Sequence, residues 1–415
     1  MFCRLFNFDL LCKVRFDGEK FLKIGIYLGD IKKPISLGGL TFEMSFVDEL
    51  TKRETNHEFV FYYVGKKNIF KNRENMKFVS LNYYKKPSVS FVPFHLAFNR
   101  VPILPLNYQL KKDNINVVYF LTPYLFEHIE IPYFAVIREV AHRILPHFPE
   151  YSTNAVFVRK EKKLKLFLTG ASKIITCNPV VKNDIRTLYD IIEENIDVLS
   201  LPYPNWVKNS KQNDEILTKN DLSKNSFILY PASFWTHKNH IRLILSAQII
   251  KEQNMNLKVV FVGLDRGNRK YLLEQVKNLD LENEVLFLDY VEQDELKSLY
   301  KNAYAVVYPS LAGPDSIVAL EAIYFGCPVL ISNHLGYNYQ LKKSAMYFNP
   351  LDETDIVEKL EELNNRVYKE ELLSNGKLLI NESKCKNYID KFINLMDDFY
   401  LTRQCWSLKE RYNNK

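Results

Sequence analysis

Tyr308-Pro-Ser-Leu-Ala-Gly313-Pro-Asp-Ser316-Ile-Val-Ala-Leu-Glu321, continued by Ala-Ile-Tyr-Phe-Gly326-Cys-Pro328, decides how the second half of this chain is read. The apolar run ending at Tyr308 predicts a buried strand, and Gly313 with Pro314 predicts a sharp turn. A helix is expected to begin near Ser316 and to end at Gly326 and Pro328, which lets the next strand start at once. A helix start at the carboxyl end of a strand is a natural anion site, because its first N–H groups lack intrahelical partners and the dipole is positive there. Glu321, about one turn further in, could accept hydrogen bonds from sugar hydroxyls.

Outward from this segment, short β-branched runs alternate with amphipathic stretches. Strands are expected at Ser226–Tyr230, Leu257–Val262, Val285–Leu288, Ala305–Tyr308, Pro328–Ser332 and Ala345–Phe348. Helices are expected at Asn239–Gln253, Arg269–Leu279, Gln293–Ala303, Val318–Phe325 and Asp352–Leu363. That alternation builds a doubly wound α/β domain with a parallel sheet. In the first half, strand Lys23–Leu28, the turn-rich Lys33–Gly39 and a helix over Thr41–Thr51 suggest a second Rossmann-like opening. Strand-like runs recur at Glu58–Val64, Val117–Leu121, Tyr133–Ile137 and Lys173–Thr176, with a helix over Val180–Glu193, while Lys66–Asn116 receives no assignment. Pro202, Pro204 and the Asn-rich stretch after them read as a linker, and Asn387–Tyr412 reads as a helix that needs another surface to pack on. The expected division is an extension over 1–20, an N-terminal Rossmann-like domain over 21–204, a linker over 205–220, a second Rossmann-like domain over 221–385, and a C-terminal helix over 386–415 packing back on the first domain.

The 415 residues suit two domains, and 47% hydrophobic with 25% charged residues is the balance of a globular protein. A formal charge of +7 is a mild bias towards anionic partners; without a dense basic face interleaved with aromatics it does not suggest a nucleic acid. The local cluster Arg159, Lys160, Lys162, Lys163 and Lys165 reads first as a solvated basic face. The six cysteines show no CxxC pair and no metal-ligand spacing, so reduced structural thiols and no metal are expected. Met1–Lys20 lacks the apolar core of a signal peptide and no run reaches transmembrane length, so the expected location is cytoplasmic, with peripheral contact at the inner membrane face left open.

Glu321-Ala322 and Gly326-Cys327-Pro328-Val329 resemble the donor-loop motif of the retaining GT-B glycosyltransferases of family 4, also called glycosyltransferase group 1. Gly313 stands where that motif has its first Glu, and Asp315 follows two residues later as a substitute or as a helix cap. Tyr230-Pro-Ala-Ser-Phe-Trp-Thr-His-Lys-Asn-His240 resembles a stretch of the mannosyltransferase-like branch, with Lys238 at the place of the lysine that binds the donor pyrophosphate and Ser233 where an Arg is common. His237 and His240 read as helix-start hydrogen-bonding groups rather than a metal pair. Val136–Glu150 resembles the segment that carries the family's histidine, matched here by His142 and Arg143. Leu37-Gly38-Gly39 resembles the glycine loop of the N-terminal domain, and Asp289-Tyr290-Val291 the segment beside the nucleotide base.

The resemblance implies a GT-B architecture, two Rossmann-like doubly wound domains facing across a cleft, and a retaining hexosyltransferase that needs neither metal nor cofactor. It implies catalytic roles for His142, Lys238 and Asp315. It further implies donor binding by Gly38, Gly39, Arg143, Ser233, Lys238, Tyr290, Val291, Ser316, Ile317, Val318 and Glu321. The donor would be a GDP- or UDP-linked sugar and the acceptor a glycan or lipid-linked precursor of a bacterial surface polysaccharide, such as lipopolysaccharide or capsule. A catalytically degenerate nucleotide-sugar-binding subunit and a nucleotide-sugar epimerase remain open as alternatives, and the oligomeric state is undetermined.

Overall fold

The computed structural model describes residues 22–31, 37–65, 70, 75–81, 83–84, 101–102, 106–123 and 128–405. The expected extension over 1–20 and the end of the expected C-terminal helix lie outside the described residues.

The first sheet is built from β1 (Lys23–Asp30), β2 (Glu58–Val64), β3 (Met76–Leu81), β6 (Val117–Phe120), β7 (Tyr133–Ile137), β8 (Lys173–Thr176) and β9 (Ile196–Val198), while β4 (Tyr83–Tyr84) and β5 (Val101–Pro102) form a separate antiparallel pair. Its order is β3-β2-β1-β6-β7-β8-β9, with every neighbouring pair parallel. β3, β4, β5 and the helix Leu106–Lys112 all fall in the stretch that the sequence left unassigned. The second sheet holds β10 (Phe227–Pro231), β11 (Lys258–Val262), β12 (Val285–Leu288), β13 (Ala305–Tyr308), β14 (Val329–Ser332) and β15 (Met346–Phe348), in the parallel order β12-β11-β10-β13-β14-β15. Every residue of β6, β7, β13 and β14 is buried, because helices cover both faces of each sheet.

In each sheet the connections reverse direction once, between β1 and β6 in the first and between β10 and β13 in the second. Loops leaving the carboxyl ends of two such adjacent strands diverge and open a crevice for a ligand. This is the α/β, GT-B-like arrangement that the sequence led to.

The linker is more structured than its composition suggested. Residues Trp206–Asn209 and Glu215–Lys219 are helical, and Val207, Ile216 and Leu217 enter the core of the second domain. Leu199 and Leu201 belong to the first core and Tyr203 to the second, so the chain crosses over 199–203. It crosses back near Ser383, whose carbonyl accepts from the Tyr203 N–H at 3.1 Å. The helix Cys385–Arg403 then lies on the first domain, burying Tyr388, Ile389, Phe392 and Met396 in its core. Phe392 meets Phe46 and Tyr119 edge-on, with ring centroids 5.1 and 4.7 Å away.

Because Phe392 is fully buried among aromatic neighbours, Phe392→Ala is expected to cost the N-terminal domain about 3–5 kcal/mol. Urea unfolding followed by tyrosine fluorescence checks this, and a loss below about 1 kcal/mol would mean that the helix is not part of that core.

Candidate active site

The segment Tyr308–Pro328 lies at the direction change of the second sheet. β13 ends at Tyr308, and the loop Pro309–Asp315 leads to the helix Ile317–Tyr324. Ser316 is its N-cap, its Oγ accepting from the Ala319 N–H at 3.1 Å. Asp315 is therefore not the cap. The first-turn amides of Ile317 and Val318 are left without intrahelical partners by helix geometry.

Gly313 has φ +112°, and a Cβ there would stand 3.0 Å from the Tyr337 hydroxyl. A glutamate at this position would be strained in backbone and crowded at its first carbon, which is a physical reason for the departure from the family motif. The loop is held from the helix Leu335–Leu341: Tyr337 OH donates to the Ala312 carbonyl at 3.1 Å, and Gln340 Oε1 accepts from the Ser316 N–H at 2.8 Å. Gly336 allows this approach, since a Cβ there would lie 2.4 Å from the Pro314 oxygen.

Lys238 reaches the same place from the loop after β10. Its Nζ donates to Tyr308 OH at 2.8 Å and to Ser310 Oγ at 3.5 Å, so the ammonium stands beside the carboxyl ends of β10 and β13. Asn239, with φ 57°, makes the turn into the helix His240–Glu252 and donates to the Pro309 and Pro350 carbonyls at 3.0 and 2.8 Å. His240 is fully buried, its Nε2 lies 3.2 Å from the Ala232 carbonyl, and burial lowers its pKa to about 3. It braces the loop that follows β10.

Other expected site residues are placed differently from the reading. His142 is wholly buried in the first domain, with Nε2 3.0 Å from Glu161 Oε2 and Tyr189 OH donating to that same oxygen at 2.9 Å. Burial and the nearby Lys160 lower its pKa, which keeps the ring neutral. Glu161 and Phe157 hold His142 inside the domain, away from solvent, where the sequence led us to expect a sugar-contacting group. Arg143 pairs with Glu161 at 3.6 Å, and Ser233 is half-buried beside Gly263. Gly38 and Gly39 lie within the helix Leu37–Leu50, which begins four residues earlier than expected, while residues 32–36 lie outside the described residues. Tyr290 is half exposed after β12, while Val291 packs on the second core.

Glu321 is buried, and both its oxygens are engaged: Trp206 Nε1 donates to Oε1 at 2.9 Å and Tyr300 OH to Oε2 at 2.8 Å. A ribose would have to share these acceptors. Asp315 faces the first domain, where Asn178 Nδ2 donates to its Oδ1 at 3.0 Å; its Oδ2 has no hydrogen-bond partner, and burial raises its pKa to about 6.

Several residues at the site were missed by the reading. Arg266 lies over the Trp235 ring at 5.6 Å from the centroid, and Arg269 over Phe234 at 5.7 Å while pairing with Asp289. Glu150 and Asn178 reach the second domain from the first. Asn178-Pro179 had a readable signal, a capping residue followed by proline at the first helical position. The contact of its other amide atom with the second domain had none.

The fold and this crevice define a two-domain protein of the GT-B class. Among solved structures, the chain is similar to a sucrose-phosphate synthase from Thermosynechococcus elongatus, with a TM-score of 0.71 at 13% identity over 92% of this chain and 100% of that one. It is also similar to Anabaena HepE in complex with UDP and glucose, with a TM-score of 0.67 at 14% identity over 91% of this chain and 100% of that one. Residues 212–377 match the family described as glycosyl transferases group 1. The carboxy-terminal domain is therefore a group 1 glycosyltransferase domain. The O-antigen chain mannosyltransferase RfbU of Salmonella typhimurium is 29% identical over 227 residues, which are 54% of this chain and 60% of that protein. The chain thus spans less than two thirds of that relative's length.

Burial lifts Glu321 to about 7 despite the bonds from Trp206 and Tyr300. A carboxyl whose pKa is raised by folding stabilises the native state below its unfolded value, and this contribution is lost as pH rises through the folded value. Thermal stability is therefore expected to fall between pH 4.5 and about 7, and Glu321→Gln should make that fall shallower. A melting-temperature series across this range checks it, and an identical pH profile in the variant would contradict it.

Proposed function

We propose that this chain transfers a hexose from a GDP- or UDP-linked donor to a glycan or lipid-linked acceptor of a surface polysaccharide, with retention at the anomeric carbon and without an essential metal. The observation that carries this reading is Lys238 at the end of β13, donating to Tyr308 and Ser310, in the same strand–loop–helix joint that ends in the Ser316-capped helix start, at the direction change of the second sheet. An ammonium and a helix N-terminus aimed at one spot stabilise a nucleoside diphosphate both when bound and as negative charge develops on it during departure. The acceptor hydroxyl would attack from the face that the diphosphate leaves, passing its proton to a departing phosphate oxygen. The mannosyltransferase relative and the UDP bound to HepE support the class of donor.

Gly313 supports a second reading, a donor-binding subunit without transfer, because its backbone disfavours a carboxylate at that position. Lys238→Ala separates the two. Transfer from a panel of GDP- and UDP-linked sugars is expected to fall by about 10²–10³ with the melting temperature little changed. Nucleotide binding without transfer or donor hydrolysis in the unaltered protein would select the second reading. Interconversion of the donor without any acceptor would indicate an epimerase.

The acceptor class is supported by one face of the first domain. On the helix Val156–Thr169, Val158 and Leu166 are 65% and 66% exposed and lie on the same side as the exposed Arg159, Lys162 and Lys165. Exposed apolar side chains among cations suit a surface of anionic lipid. No helix among the described residues is long and apolar enough to cross a membrane. Co-sedimentation with vesicles containing phosphatidylglycerol is expected, weakened by salt and by Arg159→Glu with Lys162→Glu; equal binding to neutral vesicles would exclude this surface.

A further inference from the structure

The donor loop is held from three sides, and one of them belongs to the other domain. Asn178 is fully buried at the start of the helix Pro179–Tyr189, and its two amide atoms act in different domains. Its Oδ1 accepts from the Val180 and Val181 N–H groups at 3.0 and 3.1 Å, capping its own helix. Its Nδ2 donates across to the Pro314 carbonyl and to Asp315 Oδ1, both at 3.0 Å. Glu150, also of the first domain, accepts from the His237 N–H at 3.0 Å and from the His237 ring, on which Tyr151 stacks at 6.1 Å. The His237 carbonyl in turn accepts from the Leu311 N–H at 2.9 Å. The two connections therefore reach the loop on either side of Gly313, its residue at φ +112°.

We propose that Asn178 and Glu150 are positioning residues of the donor site, which fix the loop Pro309–Asp315 from the N-terminal domain and thereby couple nucleoside-diphosphate binding to closure of the two domains. This rests on the reading that the loop and Lys238 hold a nucleotide sugar. A buried amide with all its hydrogen-bonding groups used is worth most when both partners are in place. When the domains separate, the Pro314 carbonyl and the Asp315 carboxylate lose that donor, and the loop keeps only its contacts within the second domain. A ligand that needs the fixed loop then binds with an affinity reduced by the fraction of molecules that are closed.

The variants Asn178→Ser and Glu150→Gln test this. Serine keeps a capping oxygen for the helix but removes the amide donor, and glutamine keeps an acceptor for the His237 N–H but removes the charge. Three quantities are measured on the full chain: the radius of gyration by small-angle X-ray scattering, binding of UDP and GDP by calorimetry, and the urea unfolding midpoint. With midpoints near that of the unaltered protein, Asn178→Ser is expected to scatter as a more open molecule and to bind the preferred diphosphate about tenfold more weakly. Glu150→Gln should show the same direction with smaller effect. Saturating nucleotide should bring both variants back to the unaltered radius. A variant that folds, scatters and binds as the unaltered protein does would overturn the proposal. If Asn178→Ser does not fold, Asn178→Asp, which also caps the helix and lacks the donor, carries the same test. If the unaltered protein binds neither diphosphate, the reading of function fails, while the scattering comparison still decides whether the clamp holds the domains together.

Discussion

The carbonyl of Pro314 is held from both domains. Gly336 leaves room for it on one side, where any Cβ would come within 2.4 Å, and Asn178 donates to it from the opposite domain. Between these the chain must turn through Gly313 with a positive φ, and only then can Ser316 present its hydroxyl to the helix that follows. Glycine is needed at both places for different reasons, conformation at one and close approach at the other. The orientation of the helix start is a consequence of this packing.

That packing explains which parts of the protein could be read in advance. Strands buried on both faces are written as nearly continuous apolar runs such as Ala305–Tyr308 and Tyr133–Ile137, and helix starts announce themselves through Ser316 and Asp352, although the helix Arg366–Glu382 behind Asn365 went unassigned. The alternation of the second half was therefore legible almost element by element. The first half was less so, because β3, β4 and β5 are short or lie at the sheet margin, where apolar patterning is weak. The linker misled for a related reason: its prolines and asparagines are real turn signals, yet Val207, Ile216 and Leu217 among them are enough to seat two short helices in the second core.

Site residues divide along the same line. Lys238 and Ser316 were legible because each belongs to a strand–loop–helix joint whose local sequence fixes its position. His142 matched a motif, but whether an imidazole faces a crevice or a core is decided by side chains distant in sequence, here Glu161 and Tyr189. Glu150 and Asn178 were invisible for the mirror-image reason: their partners are 87 and 136 residues away, in a different domain. Local sequence encodes donors and acceptors; it does not encode which surface will come to meet them.

Glu321 extends this to motion. Its carboxylate takes one hydrogen bond from Trp206, which lies just past the crossing between domains, and one from Tyr300, on the helix before β13. The Trp206 ring also packs on Phe325, 5.6 Å between centroids, at the end of the same helix as Glu321. Separating these groups would strand a buried carboxylate without donors, a costly state in a low-dielectric interior. The short helix Trp206–Asn209 is therefore tied to the helix Ile317–Tyr324 through Glu321 and Phe325. The chain passes between the domains at 199–203 and near Ser383, and these two crossings lie side by side through the bond from Tyr203 N–H to the Ser383 carbonyl. On the closure proposed above, Asn178 and Glu150 would meet or leave the loop Pro309–Asp315 together.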